Sequence, residues 1–317
     1  MKKLRFSALL LSLLLLLCSC SNSSAETSGG EYIFVTGKSG GTYNSLGTSM
    51  AAIWDKYGGS KTTVISTSGS FDNIDMLTRG DAGIALVQSD ILYYALNGKE
   101  MYENNKKSGL SVVANLYTEA VQVVVNADSE IQNINDLAGK TVAVGKHGTA
   151  TESAARQILE SFGITYDMIT VKYQTFSEAS AGLSSGTVDA VFAVSAMPSS
   201  NIHEYAETRE IRFLPVPAST KLKRACPFFS DGIILSETYG TENSVSTVCI
   251  DVLLICRSDL SAASVSGLVS SLFGNLGELA SGHVLGSVIN ADTASATRVG
   301  NMHPAAAKYY SDLFNAE

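Results

Sequence analysis

The residues of this chain best suited to chemistry are hydroxyl, amide and glycine groups gathered in loops. Residues 36–47 read Thr-Gly-Lys-Ser-Gly-Gly-Thr-Tyr-Asn-Ser-Leu-Gly. Gly37, Gly40 and Gly41 let backbone N–H groups approach a bound group closely. Ser39, Thr42, Asn44 and Ser45 can donate to that group or cap the helix that follows. A helix start has free N–H donors and partial positive charge, which suits a carboxylate or phosphate. The spacing fits neither a P-loop nor Gly-x-Gly-x-x-Gly. Taken alone, the stretch also reads as an ordinary strand-to-helix turn.

Three further loops are of the same kind. Ser68, Gly69 and Ser70 form either a backbone nest for a carboxylate or an N-cap with a turn. Gln88, Ser89 and Asp90 directly follow an apolar run. Gln88 or Ser89 can donate to a ligand, and Asp90 caps its helix or accepts an ammonium. Gly148, Thr149, Ala150 and Thr151 open another helix, and His147 beside them reads as exposed. Catalysis is hard to build from this inventory. There is no Gly-x-Ser-x-Gly elbow, no His-Glu-x-x-His and no P-loop, and the four histidines are scattered. No Cys/His cluster suggests a metal. The expectation is therefore a binding protein with no catalytic residue, metal or cofactor. An enzyme whose triad assembles from distant residues is the alternative class.

The elements that must position these loops alternate. Apolar runs at 32–36, 62–66, 82–88 and 110–116 read as strands, with helical patterns at 44–57, 73–79 and 91–96 between them. The arrangement recurs with strands at 121–126, 141–144, 169–173 and 188–194 and helices at 153–162 and 177–185. A β-branched run at 246–256 reads as a return strand, and helices at 263–279 and 304–313 follow. Such alternation predicts parallel sheets with helices on both faces, and ligands beyond the carboxyl ends of the strands. Three successive strand ends carry the polar loops named above. Ser195 stands at a fourth strand end, in the loop 195–199.

The chain has 317 residues, 45% hydrophobic and 16% charged, enough for two lobes. Lys2, Lys3 and Arg5 precede a leucine run at 9–17 that is too short for an ordinary membrane span. It ends in Leu-Cys-Ser-Cys, and the small residue before Cys20 resembles a bacterial lipobox with Cys20 as the lipidated residue. Cys18 is the second choice, with the bulky Leu17 before it, and a plain cleaved signal peptide is the other reading. Residues 1–20 are thus read as a lipoprotein signal peptide and 21–30, rich in Ser and Gly, as a flexible tether. Beyond residue 20 the chain has 19 basic and 30 acidic residues, which argues against nucleic acid as a partner. Cys226, Cys249 and Cys256 form no disulfide framework. One pair could form outside the cytoplasm, and buried thiols fit Cys249 and Cys256 in their apolar strand.

The chain resembles the TAXI family, the extracytoplasmic solute receptors of one class of TRAP transporters. The resemblance runs through Gly37–Tyr43, Ser66–Ser70 with Asn73, Val87–Asp90, Leu116–Glu119, Gly148-Thr149, Asp189–Phe192, and His303-Pro304 with Tyr309-Tyr310. It implies an α/β, two-lobed periplasmic-binding-protein-like (type II) fold with a hinge and an interlobe ligand cleft. Lobe 1 would be 31–117 plus 249–317, and lobe 2 would be 118–248. It implies capture of a small carboxylate-bearing solute, such as a glutamate- or glutamine-like amino acid or an organic acid. Delivery would be to a TRAP permease from an extracytoplasmic, lipid-anchored monomer. The alternative is the substrate-binding lipoprotein of an ABC transporter or sensor. By this resemblance Tyr43 is an aromatic wall of the site, while His303 and Asp189 are structural. The chain departs from the family at Glu237–Gly240, at Cys249 and Asp251, and at Ser195-Ala196.

Overall fold

A computed structural model of the protein describes residues 30–315. The leader, the tether and Cys18 and Cys20 lie outside the described residues. Among those described, no helix is long and apolar enough to cross a membrane.

Among the described residues ten strands form one sheet: β1 (Glu31–Val35), β2 (Lys61–Ile65), β3 (Ile84–Gln88), β4 (Leu110–Asn126), β5 (Thr141–Ala143), β6 (Thr170–Lys172), β7 (Ala190–Ser195), β8 (Ile211–Phe213), β9 (Phe229–Ile234) and β10 (Val245–Arg257). Their order is β2-β1-β3-β10-β4-β7-β5-β6, with β8 on β4 and β9 on β10. Two similar halves meet in the middle. In one, β1 is parallel to β2 and β3, and β10 returns antiparallel beside β3. In the other, β5 is parallel to β6 and β7, and β4 returns antiparallel beside β7. The long strands β4 and β10 pair with each other and carry the chain between the halves.

The alternation of short apolar runs with helical patterns produces this α/β arrangement, as expected. Three details differ from the sequence reading. The runs at 110–116 and 121–126 are one continuous strand, because Tyr117, Thr118, Glu119 and Ala120 are paired along β10 rather than released as a loop. The C-terminal helix is broken into Ala262–Phe273 and Leu276–Gly282 at Gly274-Asn275. Strand β8, Ile-Arg-Phe, alternates but is only three residues long, and β9 has no clear apolar alternation, so the sequence does not announce them. The C-terminal helices cover the first half: Trp54, fully buried, donates its indole N–H to Leu268 O at 3.0 Å, and Tyr310 donates to Val113 O at 3.1 Å. Cys226, Cys249 and Cys256 are all free, buried thiols. Burial pushes the Cys226 and Cys256 thiols up to about 12 and Cys249 to about 11. Cys249 packs its sulfur into the space above Gly232, where a Cβ would stand 2.3 Å from it.

Candidate functional site

Asn73 fixes the loops of the first half. It is fully buried, and its amide donates to Thr36 O at 2.6 Å and Leu86 O at 2.7 Å. Its Oδ1 accepts from the Thr67 hydroxyl at 2.6 Å. One side chain thus ties the end of β1, the loop after β2 and strand β3. The helix Thr42–Tyr57 begins beside this knot, and so does Ser70–Arg79. Neither has a side-chain cap: their N-caps are Gly41 and Gly69. Gly69 sits at φ 126°, a conformation that side-chain-bearing residues rarely adopt. In the second half, Thr149 caps the helix Ala150–Ser161 by accepting from Glu152 N at 3.4 Å. The turn that brings this helix in needs Gly145, at φ 91°, where a Cβ would stand 2.8 Å from Thr151 Cβ.

These three helix starts face one cavity of about 620 Å³ between the halves. Gly41, Thr42 and Tyr43 line it from the first loop, and Ser68, Gly69 and Ser70 from the second. Gln88 closes it from β3, and Gly148, Thr149, Ala150 and Thr151 face them from the other half. Orphan N–H donors and the positive ends of helices therefore converge on one space, which favours an anionic group there.

Four candidates from the sequence do not line this space. Ser39 and Gly40 are exposed on the outer bend of the first loop. That bend closes when Gly41 N donates to Lys38 O at 2.9 Å, and it turns Ser39 away. Ser89 is buried in the first turn of its helix, and Ser195 accepts from the Gln122 amide at 2.9 Å. The hydroxyls of Ser70 and Thr149 are engaged in the protein itself. Ser70 accepts from Gln88 N at 3.0 Å, and Thr149 also donates to Lys146 O at 2.7 Å. At Thr149 the backbone is left to meet a ligand, whereas the Ser70 hydroxyl keeps its proton to donate. Asp189 and His303 are structural. Asp189 accepts from Thr141 N at 2.7 Å, and His303 Nδ1 accepts from Ala305 N at 3.2 Å.

The sequence reading missed Glu119. It lies on β4, is 7% exposed, and lines the cavity. Its carboxylate accepts from the Gln88 amide and, at 3.4 Å, from the Tyr117 hydroxyl. Burial pushes its pKa up to about 7; Gln88 and Tyr117 oppose that rise, and the nearby Asp90 adds to it. Asp90 is itself buried and pushed up to about 7 by desolvation, although Ile91 N donates to it at 2.8 Å. The Tyr43 ring lines the cavity with its hydroxyl turned inward, and burial together with Glu119 raises that hydroxyl well above its ordinary value. The signal for Glu119 was a carboxylate inside a run of apolar strand residues. Lys38 and His147 stand exposed on the lining. The His147 ring meets Tyr173 edge-on at 5.2 Å.

The cavity can therefore hold opposite charges at two places. Helix starts suit an anion, and a buried carboxylate hydrogen-bonded by neutral partners suits a cation. The chain is similar in structure to a TctC solute-binding protein from Polaromonas, at 15% identity over 92% of this chain and 99% of that one, with a TM-score of 0.52. It is similar to XAC2383 from Xanthomonas citri, which was solved bound to ATP, at 10% identity over 89% and 95%, TM-score 0.53. It is also similar to a Listeria monocytogenes protein assigned to L-cystine ABC transport, at 16% identity over 82% and 98%, TM-score 0.50. These likenesses establish the fold as that of two-lobed periplasmic binding proteins. Residues 34–312, nearly the whole described chain, match one family, and the protein belongs to the NMT1-like family.

Proposed function

We propose that this protein is an extracytoplasmic solute receptor of the TAXI class, and that its ligand is a zwitterionic, carboxylate-bearing solute of the amino-acid type. The observation that carries the reading is the pairing of three helix starts with buried Glu119 in one cavity. The solute carboxylate sits against the N–H groups at Thr42–Tyr43, Ser68–Ser70 and Gly148–Thr151. Its ammonium sits against Glu119, with the Tyr43 ring as a wall. Each charge-assisted hydrogen bond contributes about 1.5–3 kcal/mol. The receptor does no chemistry on the solute. Glutamate and glutamine are the leading candidates.

In this reading lobe 1 is 31–117 plus 249–317 and lobe 2 is 118–248. Strands β4 and β10 are the connections between them. Contacts from both lobes are complete only when the cleft is shut, so the ligand favours the closed state by its differential affinity. Cys20 carries the lipid anchor, and a TRAP-type permease receives the solute. The alternative partner is an ABC transporter, which the likeness to the Listeria protein supports, while the likeness to the TctC solute-binding protein supports a receptor role. Native mass spectrometry of protein purified without added ligand tests the receptor reading. A bound, intact amino acid at one per chain is expected. Retention of a sugar or a metal ion in its place overturns the ligand class, and turnover of an offered solute overturns the receptor role.

A further inference from the structure

A second cavity, of about 920 Å³, shares no lining residue with the first. The crossing strands β4 and β10 contribute to both cavities. Asp251 on β10 pairs with Thr118 on β4, and the next pair is Ile250 with Glu119. Successive strand residues point to opposite faces. Glu119 lines the cleft, while Thr118 and Asp251 line the second cavity; Tyr117, whose hydroxyl reaches Glu119 at 3.4 Å, also lines the second cavity and stands between the two. Its far walls come from the loop after β7, from β9, and from the segment 285–298.

The chemistry of this cavity is mixed and specific. Phe229, Leu285, Val288 and Met197 give it an apolar side. Its lining carries three aspartates against one arginine and one lysine. Asp251, 1% exposed, is paired with Arg298 at 2.9 Å, and Lys223 is paired with Asp231 at 2.5 Å. Asp292, exposed, is left as the excess negative charge. Asn115, 7% exposed, donates its amide to Ala296 O at 3.2 Å, while its Oδ1 is buried and accepts no hydrogen bond. An unmet buried acceptor costs stability unless a donor reaches it. The cleft makes no use of Asp251.

We infer that this cavity is a second ligand site, for a small molecule with a protonated amine on an apolar body. The amine donates to Asn115 Oδ1 and faces the excess negative charge at Asp292. The body lies along Phe229, Leu285 and Val288. A carboxylate would instead meet an arginine already paired with Asp251.

The test is thermal unfolding with 2-phenylethylamine as the probe and 3-phenylpropionate as the acid control. Wild type, Asp292→Asn, Ala296→Phe and Glu119→Gln are compared. Ala296 is exposed on the cavity lining, so Phe there fills the space without burying a new group in the core. Val288→Lys, also at an exposed position, is a second block should Ala296→Phe fail to fold. The amine is expected to raise the midpoint of wild type and of Glu119→Gln alike. Either block should abolish the rise. Asp292→Asn should weaken binding about two- to fivefold, as for one exposed ion pair. No rise in wild type overturns the inference, as does a rise that survives both blocks. Loss of the rise in Glu119→Gln would place the amine in the cleft. A larger rise with phenylpropionate would reverse the assigned charge.

Discussion

Replacing Glu119 by glutamine probes the cleft most sharply, because it keeps the shape of the side chain and removes only its charge. In the ligand-free protein the Glu119 carboxyl is lifted from its ordinary 4.5 to about 7, chiefly by burial. Ionising it in the folded state is therefore costlier by about 3 kcal/mol than in the unfolded chain. The sign follows from proton counting. Between pH 4.5 and 7 the folded protein holds more protons than the unfolded one, so stability falls as pH rises through that window. Asp90, also lifted to about 7, acts in the same direction. A bound ammonium reverses the balance, since it needs the carboxylate charged. Affinity for an amino acid should rise about tenfold per pH unit from pH 5 towards 7 and then level off, with about one proton released per ligand below pH 7. Glu119→Gln should lose this slope and bind at least about a hundredfold more weakly at pH 8, as for a broken buried ion pair worth about 3–5 kcal/mol. Asp90→Asn removes a charge that raises Glu119. It should move the bend to lower pH and keep the affinity at pH 8. Titration calorimetry at several pH values in buffers of different ionisation enthalpy measures slope and proton release together. A flat pH profile in wild type, or undiminished affinity in a folded Glu119→Gln protein, would refute the placement of the ammonium.

The remaining predictions concern the scaffold and the anchor. Asn73→Ala removes three buried hydrogen bonds at the strand ends and should cost about 2–4 kcal/mol of stability, read from urea unfolding. Gly145→Ala forces a left-handed φ on a residue with a Cβ and brings that Cβ against Thr151, so it should cost about 1–3 kcal/mol and weaken ligand binding. Saturating ligand should reduce the radius of gyration in small-angle scattering. A shift from mostly open to mostly closed, 1:99 to 99:1, requires about 5.5 kcal/mol of differential affinity. Cys20→Ser should release the protein from the membrane fraction, because lipid anchoring scales at about 0.8 kcal/mol per buried methylene; retention in high salt would refute the anchor.

Much of this was legible in the residues. The glycine and hydroxyl loops at strand ends could be read because a parallel strand must hand over to a helix there, and orphan N–H groups gather at that handover. Hence Thr42, Tyr43, Ser68–Ser70, Gln88 and Gly148–Thr151 do meet around one cavity. Two things were not legible. The first is which hydroxyls the protein uses for itself: Ser70 and Thr149 are claimed by Gln88 N and Lys146 O, contacts set by how neighbouring loops pack. The second is Glu119, whose role depends on β4 running unbroken past Leu116 beside β10. A loop there would have left the carboxylate in water. Ser39 and Ser195 do not line this cavity for a related reason. A loop residue's side chain is aimed by the local bend, and the bends at Lys38–Gly41 and around Ser195 turn theirs elsewhere.

The most direct measurement is a calorimetric comparison of three matched molecules at pH 8: glutamine, the same molecule without its α-amine, and the same molecule without its α-carboxylate. Each of the two truncated molecules lacks one of the two charges for which the cavity has a separate receiver. Intact glutamine should bind, and each truncated molecule should bind at least about a hundredfold more weakly or not at all: the amine-free acid leaves Glu119 unpaired, and the carboxylate-free amine forfeits the charge-assisted bonds at the helix starts. Equal or tighter binding of the amine-free acid would contradict the account, because Glu119 would then stand uncompensated beside an anion.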